Sequence, residues 1–427
     1  MASLATNDGD AAENNAAFDI VQHGHKDLVQ AVAFNAYGDR CATGSVDGKI
    51  RVFNRHQDGI WRLCDNWKAH AGEILELQWL PPTIYPNLLA SLGIEGRFQL
   101  WAEDPSAPPG RRFSMRDGNG KPVSEVRSSR YPFRSFSVKH DEVTRCTYVA
   151  LLASDGHLTV YEGEVPEALT DYAKFDDFQA FAKPNRGEET CFKVRFDPNP
   201  EPCYTALRAG LPSDALSLVV SGLTAVKIFR TRDIVTSSFG TATRSREFYL
   251  ALEITEHAHL VRDVAWAPGN YRGYEMIATA CQDGFVRVFR IDTPFSKDDG
   301  KTWSPADILG STRGDESTAP RNPPSRRQSQ APSGIRAEID KSGTHGERLL
   351  TDQPGQIRHT VKVLSKLSAH RSPVWRVGFD DDGQILGSVG DEGKLMCYRQ
   401  LPDGSWAKSS ELGMMKTRMA APPVSHS

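Results

Sequence analysis

The 427-residue chain lacks an excess of basic charge: 51 lysines and arginines stand against 54 aspartates and glutamates, a net charge of −3. A protein that wraps nucleic acid needs a clustered basic face, so the balance argues against that class. Cysteines are few and odd in number. Cys41, Cys64, Cys146, Cys191, Cys203, Cys281 and Cys397 are scattered, with no C-x-x-C pair among them. This excludes a disulfide scaffold and a thiolate zinc site, and predicts buried thiols in a reducing compartment. Long apolar runs are missing too. The longest, Ala215 to Phe229, is broken by Gly222 and Lys227 and falls short of the roughly 20 residues that a membrane helix needs. Residues 1–17 hold early acids and no apolar run, so they read as a flexible tail and not as a secretory signal.

Catalytic signatures are absent as well. The GNGKP stretch at Gly118 has neither the spacing nor the strand-to-helix setting of a phosphate-cradling loop, and there is no G-x-S-x-G elbow. His23 and His25 form an H-x-H without a third ligand. Asp176-Asp177 and Asp380 to Asp382 sit among Pro, Gly and charged neighbours and read as solvated turn residues, not as an acid/base pair. The expectation is a non-enzymatic protein without metal or cofactor.

What the chain does have is a repeat. An acid, a glycine and then alternating apolar positions ending on an aromatic residue recur as Asp47-Gly48-KIRV-Phe53, Glu95-Gly96-RFQL-Trp101, Asp155-Gly156-HLTV-Tyr161, Asp283-Gly284-FVRV-Phe289 and Glu392-Gly393-KLMC-Tyr398. A sixth copy, Leu223-Thr224-AVKI-Phe229, keeps the alternation without the turn signal. An acid-glycine pair suits a tight hairpin turn, and the period-two run behind it is a half-buried strand. Upstream of four copies a histidine opens another alternating run. The spacing is 22 residues from His25 to Asp47, 25 from His70 to Glu95, 24 from His259 to Asp283 and 22 from His370 to Glu392. Strands such as Arg40 to Ser45, Met276 to Ala280 and Trp61 to Lys68 complete each unit. Each unit therefore supplies several short antiparallel strands, one blade of a propeller. The fold class is all-β, with six blades.

The distances between successive turns are 48, 60, 68, 60 and 109 residues, against roughly 40 to 45 in a plain blade. The surplus is assigned to loops at Asp104 to Arg127, Thr231 to Arg246 and Asp292 to Pro354. The last is rich in Pro, Ser, Arg and Gly, too polar to order itself, and is read as a disordered insertion at about 292–354 within blade five. Within it, Arg326-Arg327-Gln328-Ser329 fits a basic-directed kinase pattern, so Ser329 is a candidate phosphosite. The strand is expected to resume at Ile357 to Leu367.

The Gly24-His25 dipeptide and the aromatic strand ends resemble the WD-repeat family over 18–412, with 413–427 as a second flexible tail. The resemblance implies that a histidine, a serine, the turn acid and an aromatic residue form a hydrogen-bonded set that fixes each blade. It gives His25, Ser45 and Asp47 in blade one, with Phe53 as its strand end, and His70, Glu95, Asp155, His259, Asp283, His370 and Glu392 elsewhere. The opening HKDLVQAVAFNAYGDRCATGSVDGKIRVF, WRLCDNWKAH from Trp61, ASDGHLTVYE from Ala153 and HRSPVWRVGFDDDGQILGSVGDEGKL from His370 look like the Seh-type nucleoporins of the Sec/Seh group. That likeness implies an open propeller acting as a scaffold in the outer-ring Y-complex of the nuclear pore, supporting nucleocytoplasmic transport. It also implies a place in a SEA/GATOR-type complex of vacuole or lysosome membranes that regulates TORC signalling. The implied partner is a helical-solenoid nucleoporin that inserts a blade of strands, beside other outer-ring nucleoporins.

An open ring leaves unpaired backbone groups that partner strands can satisfy. From order alone, the socket should lie between blades one and six, at Phe18, Asp19, Ile20 and Val21 and at Trp375, Phe379, Leu395 and Tyr398. The alternative is that Phe18 to Val21 pairs with blade six and closes the ring unaided. Two other functions stay open: a vesicle-coat propeller, and an adaptor that reads a peptide or histone tail at the mouth of its channel.

Overall fold

Gly48 shows why the acid-glycine phrase recurs. Its φ is +73°, and a Cβ there would lie 2.5 Å from the His70 carbonyl oxygen, so only glycine lets the chain reverse so tightly beside the next strand. Blade four makes its turn with Leu223 at φ 54°. A leucine accepts the left-handed conformation there, at a cost on the order of 1 kcal/mol, so the copy that lacks the signal keeps the reversal.

In the computed structural model, which describes residues 22–113, 120–166, 168–238, 241–269, 272–294 and 355–413, these turns organise six four-stranded antiparallel sheets. Blade one holds β1 (Val29–Phe34), β2 (Arg40–Ser45), β3 (Lys49–Arg55) and β4 (Trp61–Lys68). Blade two holds β5 (Ile74–Trp79), β6 (Leu88–Gly93), β7 (Arg97–Ala102) and β8 (Ser124–Arg127). Blade three is β9 (Phe133–His140), β10 (Thr147–Ala153), β11 (His157–Gly163) and β12 (Ala173–Gln179). Blade four is β13 (Phe192–Phe196), β14 (Ser217–Gly222), β15 (Ala225–Ser238) and β16 (Thr241–Ile254), with the short helix α1 (Tyr204–Arg208) in a loop. Blade five is β17 (Val261–Trp266), β18 (Glu275–Cys281), β19 (Val286–Asp292) and β20 (Thr360–Leu367). Blade six is β21 (Val374–Phe379), β22 (Ile385–Gly390), β23 (Lys394–Gln400) and β24 (Trp406–Gly413). The chain is thus an all-β, six-bladed propeller. Each sheet takes its four strands in chain order, so among the described residues no strand is exchanged between the first blade and the last.

The core lies between blades. Ala31, Ala42, Ile50, Val52 and Trp67 of blade one pack with Ile74, Trp79 and Trp101 of blade two, and similar clusters fill the other closed interfaces. Each fully buried large side chain contributes about 1.5–3 kcal/mol by leaving water.

Three loop expectations meet the structure differently. Residues 295–354 lie outside the described residues, and the chain on either side belongs to β19 and β20, so the long insertion falls inside blade five. Thr231 to Arg246 is not a loop: β15 and β16 are each 14 residues long and stay paired from Val226↔Ile254 out to Ser238↔Thr241. The segment is polar, which mimics a loop, but its Thr, Val and Ile content suits an extended ladder. The Asp104 to Arg127 stretch returns Phe113 to the core, stacked on Trp67 with ring centroids 4.8 Å apart. Asp176 and Asp177 were expected in a turn and lie instead on β12, where Asp176 Oδ2 accepts the Phe248 N–H at 2.7 Å and Asp177 pairs with His157 and Lys174.

Candidate functional site: the seam between the first and last blades

The blade-turn residues form the rigid frame of the site. In blade two, His70 Nδ1 lies 2.7 Å from Glu95 Oε1, His70 Nε2 lies 2.7 Å from Ser91 Oγ, and Trp101 Nε1–H donates to the same Oγ at 2.8 Å. Burial pushes the Glu95 carboxyl up, but the hydrogen bond from His70 overrides it and the group titrates below its ordinary range. Blade six repeats the set with tyrosine as the aromatic member: His370 lies 2.6 Å from Glu392 and 2.7 Å from Ser388, whose hydroxyl donates to Tyr398 OH at 3.2 Å.

Two of the expected members are corrected. In blade one the hydroxyl beside His25 Nε2 belongs to Thr43, at 2.9 Å, while Ser45 Oγ donates to the Asp27 carbonyl and accepts the Asp47 N–H. Thr43 precedes Asp47 by four residues, as Ser91 precedes Glu95 and Ser388 precedes Glu392. In blade five the member is His257 and not His259. His257 is buried with Nε2 2.9 Å from Thr279 Oγ1, whereas His259 is exposed. The histidine stands four residues before the first strand in every set (His25 and Val29, His70 and Ile74, His257 and Val261, His370 and Val374), a rule that separates the two histidines of the His257-Ala258-His259 run. Asp155 accepts the His157 N–H at 3.2 Å in blade three, and Asp283 accepts the Phe285 N–H at 3.1 Å in blade five. His25 has Asp47 on one ring nitrogen and Thr43 on the other, so both are engaged.

The innermost strands then close the ring, all but once. β1 packs on β5, β5 on β9, β9 on β13, β13 on β17 and β17 on β21. Side chains from one blade also bond the next strand's backbone: Glu76 Oε2 accepts the Phe136 N–H at 3.0 Å, Ser137 Oγ accepts the Phe196 N–H at 3.0 Å, and Asp263 Oδ2 accepts the Val377 N–H at 3.2 Å. Burial alone would raise the Glu76 carboxyl. The cations of Arg195 and Lys193, 3.1 and 2.5 Å away, reverse this and hold it far below its ordinary range. Nothing comparable joins β21 to β1 among the described residues. The bridge there is Arg376, whose Nη2–H donates to the Gln30 and Leu75 carbonyls, each at a long 3.5 Å.

Both walls of this seam are largely apolar and partly exposed. Side chains alternate along a strand, so one face of each blade looks to the following blade and the other to the preceding one. Ala31 and Ala33 pack toward blade two, which leaves Val32 and Phe34 on the seam face, 54% and 58% exposed. Phe34, Cys41, Phe53 and Leu63 form a cross-strand row on that face, and Trp61 meets the Phe34 ring edge-on at 5.9 Å. On blade six, Arg376, Val389, Leu395 and Leu412 form one row and Gly378, Gly387, Cys397 and Ser410 the next. A cavity of about 1610 Å³ reaches from Glu76 and Lys139 in the central channel to Val32, Phe34, Val389 and Leu395 in the seam, so channel and seam are one space.

Of the residues assigned to the socket, Leu395 lies on this open face. Tyr398 is fully buried on the opposite face, packed with Phe379 toward blade five. Trp375 stacks under Arg262 of blade five at 4.4 Å, with its Nε1–H donated to Asp391. Phe18, Asp19, Ile20, Val21 and Ser329 lie outside the described residues. The seam residues Val32, Phe34, Leu63, Arg376 and Val389 were not anticipated, although strand parity in blade one singles out the first two.

The sequence matches the WD domain, G-beta repeat family over residues 18–54, 249–290 and 361–399. It is 51% identical to Nucleoporin SEH1 of Chaetomium thermophilum over 94% of this chain and 96% of that protein. It is 26% identical to Nucleoporin SEH1 of Saccharomyces cerevisiae, covering 88% of this chain and 93% of that one, and 21% identical to Nucleoporin SEH1 of Homo sapiens, covering 90% and 84%. Identity of that degree along nearly the whole propeller shows that the chain belongs to the SEH1 family of nucleoporins, structural scaffold subunits of the nuclear pore and not enzymes.

Proposed function

We propose that the chain serves in the outer-ring Y-complex of the nuclear pore and there receives a blade of β-strands from a helical-solenoid nucleoporin into the seam between blades one and six. The observation that carries this is the pair of facing apolar sheet faces, Val32, Phe34 and Leu63 on one side and Val389, Leu395 and Leu412 on the other, with no packing between β21 and β1 among the described residues comparable to that of the other inner-strand pairs. Burying such faces stabilises the assembly, and strands are the elements whose alternation matches them.

The test is purification of the tagged chain from its own cells in gentle salt, with crosslinking and mass spectrometry. Recovery of outer-ring nucleoporins with crosslinks at blades one and six is the expected result. Vacuolar coat-like subunits in the same preparation would extend the role to a SEA/GATOR-type complex. Vesicle-coat or chromatin proteins without nucleoporins would overturn the reading in favour of the coat or adaptor roles, and crosslinks confined to blades three and four would move the socket.

A further inference from the structure

The closed seams on either side of the open one, between blades one and two and between blades five and six, share a device that the open seam holds in two unmatched halves. Innermost strands end in a small or polar residue followed by a large apolar one in Gln78-Trp79, Arg195-Phe196, Ala265-Trp266 and Gly378-Phe379, whereas β9 ends in Lys139-His140. The large residue points back to the preceding blade, and in blades two and six it seats over small side chains there. Trp79 sits against Ala33 and Ala42, its Nε1–H donated to the Ala33 carbonyl at 3.2 Å. Phe379 sits with Ala265 and Ala278 in the same way. Strand parity makes this the only direction the last residue can face once the preceding one faces forward.

At the open seam, Phe34 is the large residue of blade one and has no preceding blade to seat in, which is why it stands 58% exposed. On blade six, Gly378 and Gly387 pair directly and take the places that Ala33 and Ala42 hold under Trp79. A Cβ at Gly378 would meet nothing within 4 Å, and one at Gly387 would come no closer than 3.6 Å to Leu395 Cδ1, so the seat is open and its backbone would accept a side chain. The polar position next to it differs in sign from its counterparts. Glu76 and Asp263 accept the next strand's N–H, whereas Arg376 can only donate.

We propose that the seam selects an extended strand ending in a small residue followed by an aromatic or other large apolar one. The large side chain fills the seat over Gly378 and Gly387, and the small residue lies against Phe34. A backbone carbonyl or carboxylate of the same strand faces Arg376 in place of the Gln30 and Leu75 carbonyls. This rests on the reading that a partner supplies strands to the seam, and adds which residues those strands must carry.

The test uses the full chain in its own cells, in two variants. Val389 replaced by p-benzoylphenylalanine places a photocrosslinker beside the seat, and mass spectrometry of the crosslinked peptide reads the occupant's sequence. The expected peptide comes from a nucleoporin and carries the small-then-large pair at the end of a strand. Gly378→Leu fills the seat from within. The purified variant should keep its circular dichroism and melting temperature while recovering about tenfold less nucleoporin, the equivalent of losing one seated side chain. Crosslinks to a helical segment or to this chain itself, with nucleoporin recovery undiminished in Gly378→Leu, would overturn the inference and leave the proposed function standing. No nucleoporin recovered even with the unsubstituted chain would remove both.

Discussion

Hydroxyls four residues before the turn acid carry more of each blade than their size suggests. Ser91 holds both His70 and Trp101, so Ser91→Ala leaves two buried polar groups without a partner. A loss of about 2–4 kcal/mol in unfolding free energy is expected in a denaturant titration, at roughly 1–2 kcal/mol for each orphaned group. Thr43→Ala in blade one should cost less, because the strand end there is Phe53, which has no donor to orphan. His257 makes the same position sensitive to pH. Burial, joined by the charge of Arg287, lowers its pKa from 6.5 to about 4. The unfolded chain therefore takes up the proton first, and the stability tied to neutral His257 is complete above pH 6.5 and lost as the pH falls toward 4. His257→Gln should flatten the melting-temperature profile in that window. If the slope persists unchanged, the sensitivity lies elsewhere. The pairing of Asp283 with Arg287 acts lower. Burial raises that carboxyl, but the hydrogen bond from Arg287 brings it down to about 2, so its contribution survives until the pH falls toward that value. Sequence reading reached these residues only in part: two histidines one residue apart flank Ala258, and the strand spacing that separates them is visible only when all four sets are aligned.

At the scale of elements, charge runs through the interfaces where a sequence predicts apolar side chains. Arg230 on β15 and Glu275 on β18 form an ion pair fully out of water, with Ser217 on β14 accepting a further N–H from Arg230 at 2.6 Å. Breaking one half strands the other, so Glu275→Leu is expected to cost about 3–5 kcal/mol, seen as a lowered unfolding midpoint. Replacing both by apolar residues should cost much less. A lone arginine in a strand reads as solvent-facing, because alternation says which face a residue takes and not whether another blade covers it. The β15–β16 hairpin was hidden for the opposite reason, its polar tip resembling a loop. Its outer half reaches well past the strands of the other blades. Cutting 233–246 and joining the strands by Asn-Gly should shift the melting temperature by less than about 2 °C, about 1 kcal/mol in a chain of this size. A larger fall would show that the Arg246 pairs with Asp214 and Asp233 support the blade.

For the whole molecule, the propeller plan was legible because a period-two strand repeats six times, five times behind an acid-glycine turn signal, at intervals long enough for a blade of several short strands. The seam was legible only by place. Leu395 and Tyr398 are three residues apart on one strand and must therefore point to opposite faces, so they cannot share a wall. Trp375 was misplaced by the bulge between Val374 and Arg376, which upsets simple alternation. Hydrogen exchange should report the same asymmetry. Amides of β1 and of β21 to β24 are expected to exchange faster than those of β9 and β13 in the isolated chain, and to slow when the seam is filled. Uniform protection across all six blades would show that the ring closes by itself.

The exposed wall of Phe34, Trp61 and Leu63 also bears on how much of this protein a cell can keep. A subunit that displays such a patch until it is assembled looks, to chaperones and proteases, like a protein that has not finished folding. Surplus copies should therefore be cleared and partnered copies spared, so the half-life of the chain is expected to shorten when the proposed seam partner is depleted, a difference that a pulse-chase measurement reads directly. Stoichiometry would then be set by the geometry of one interface, without any dedicated regulator.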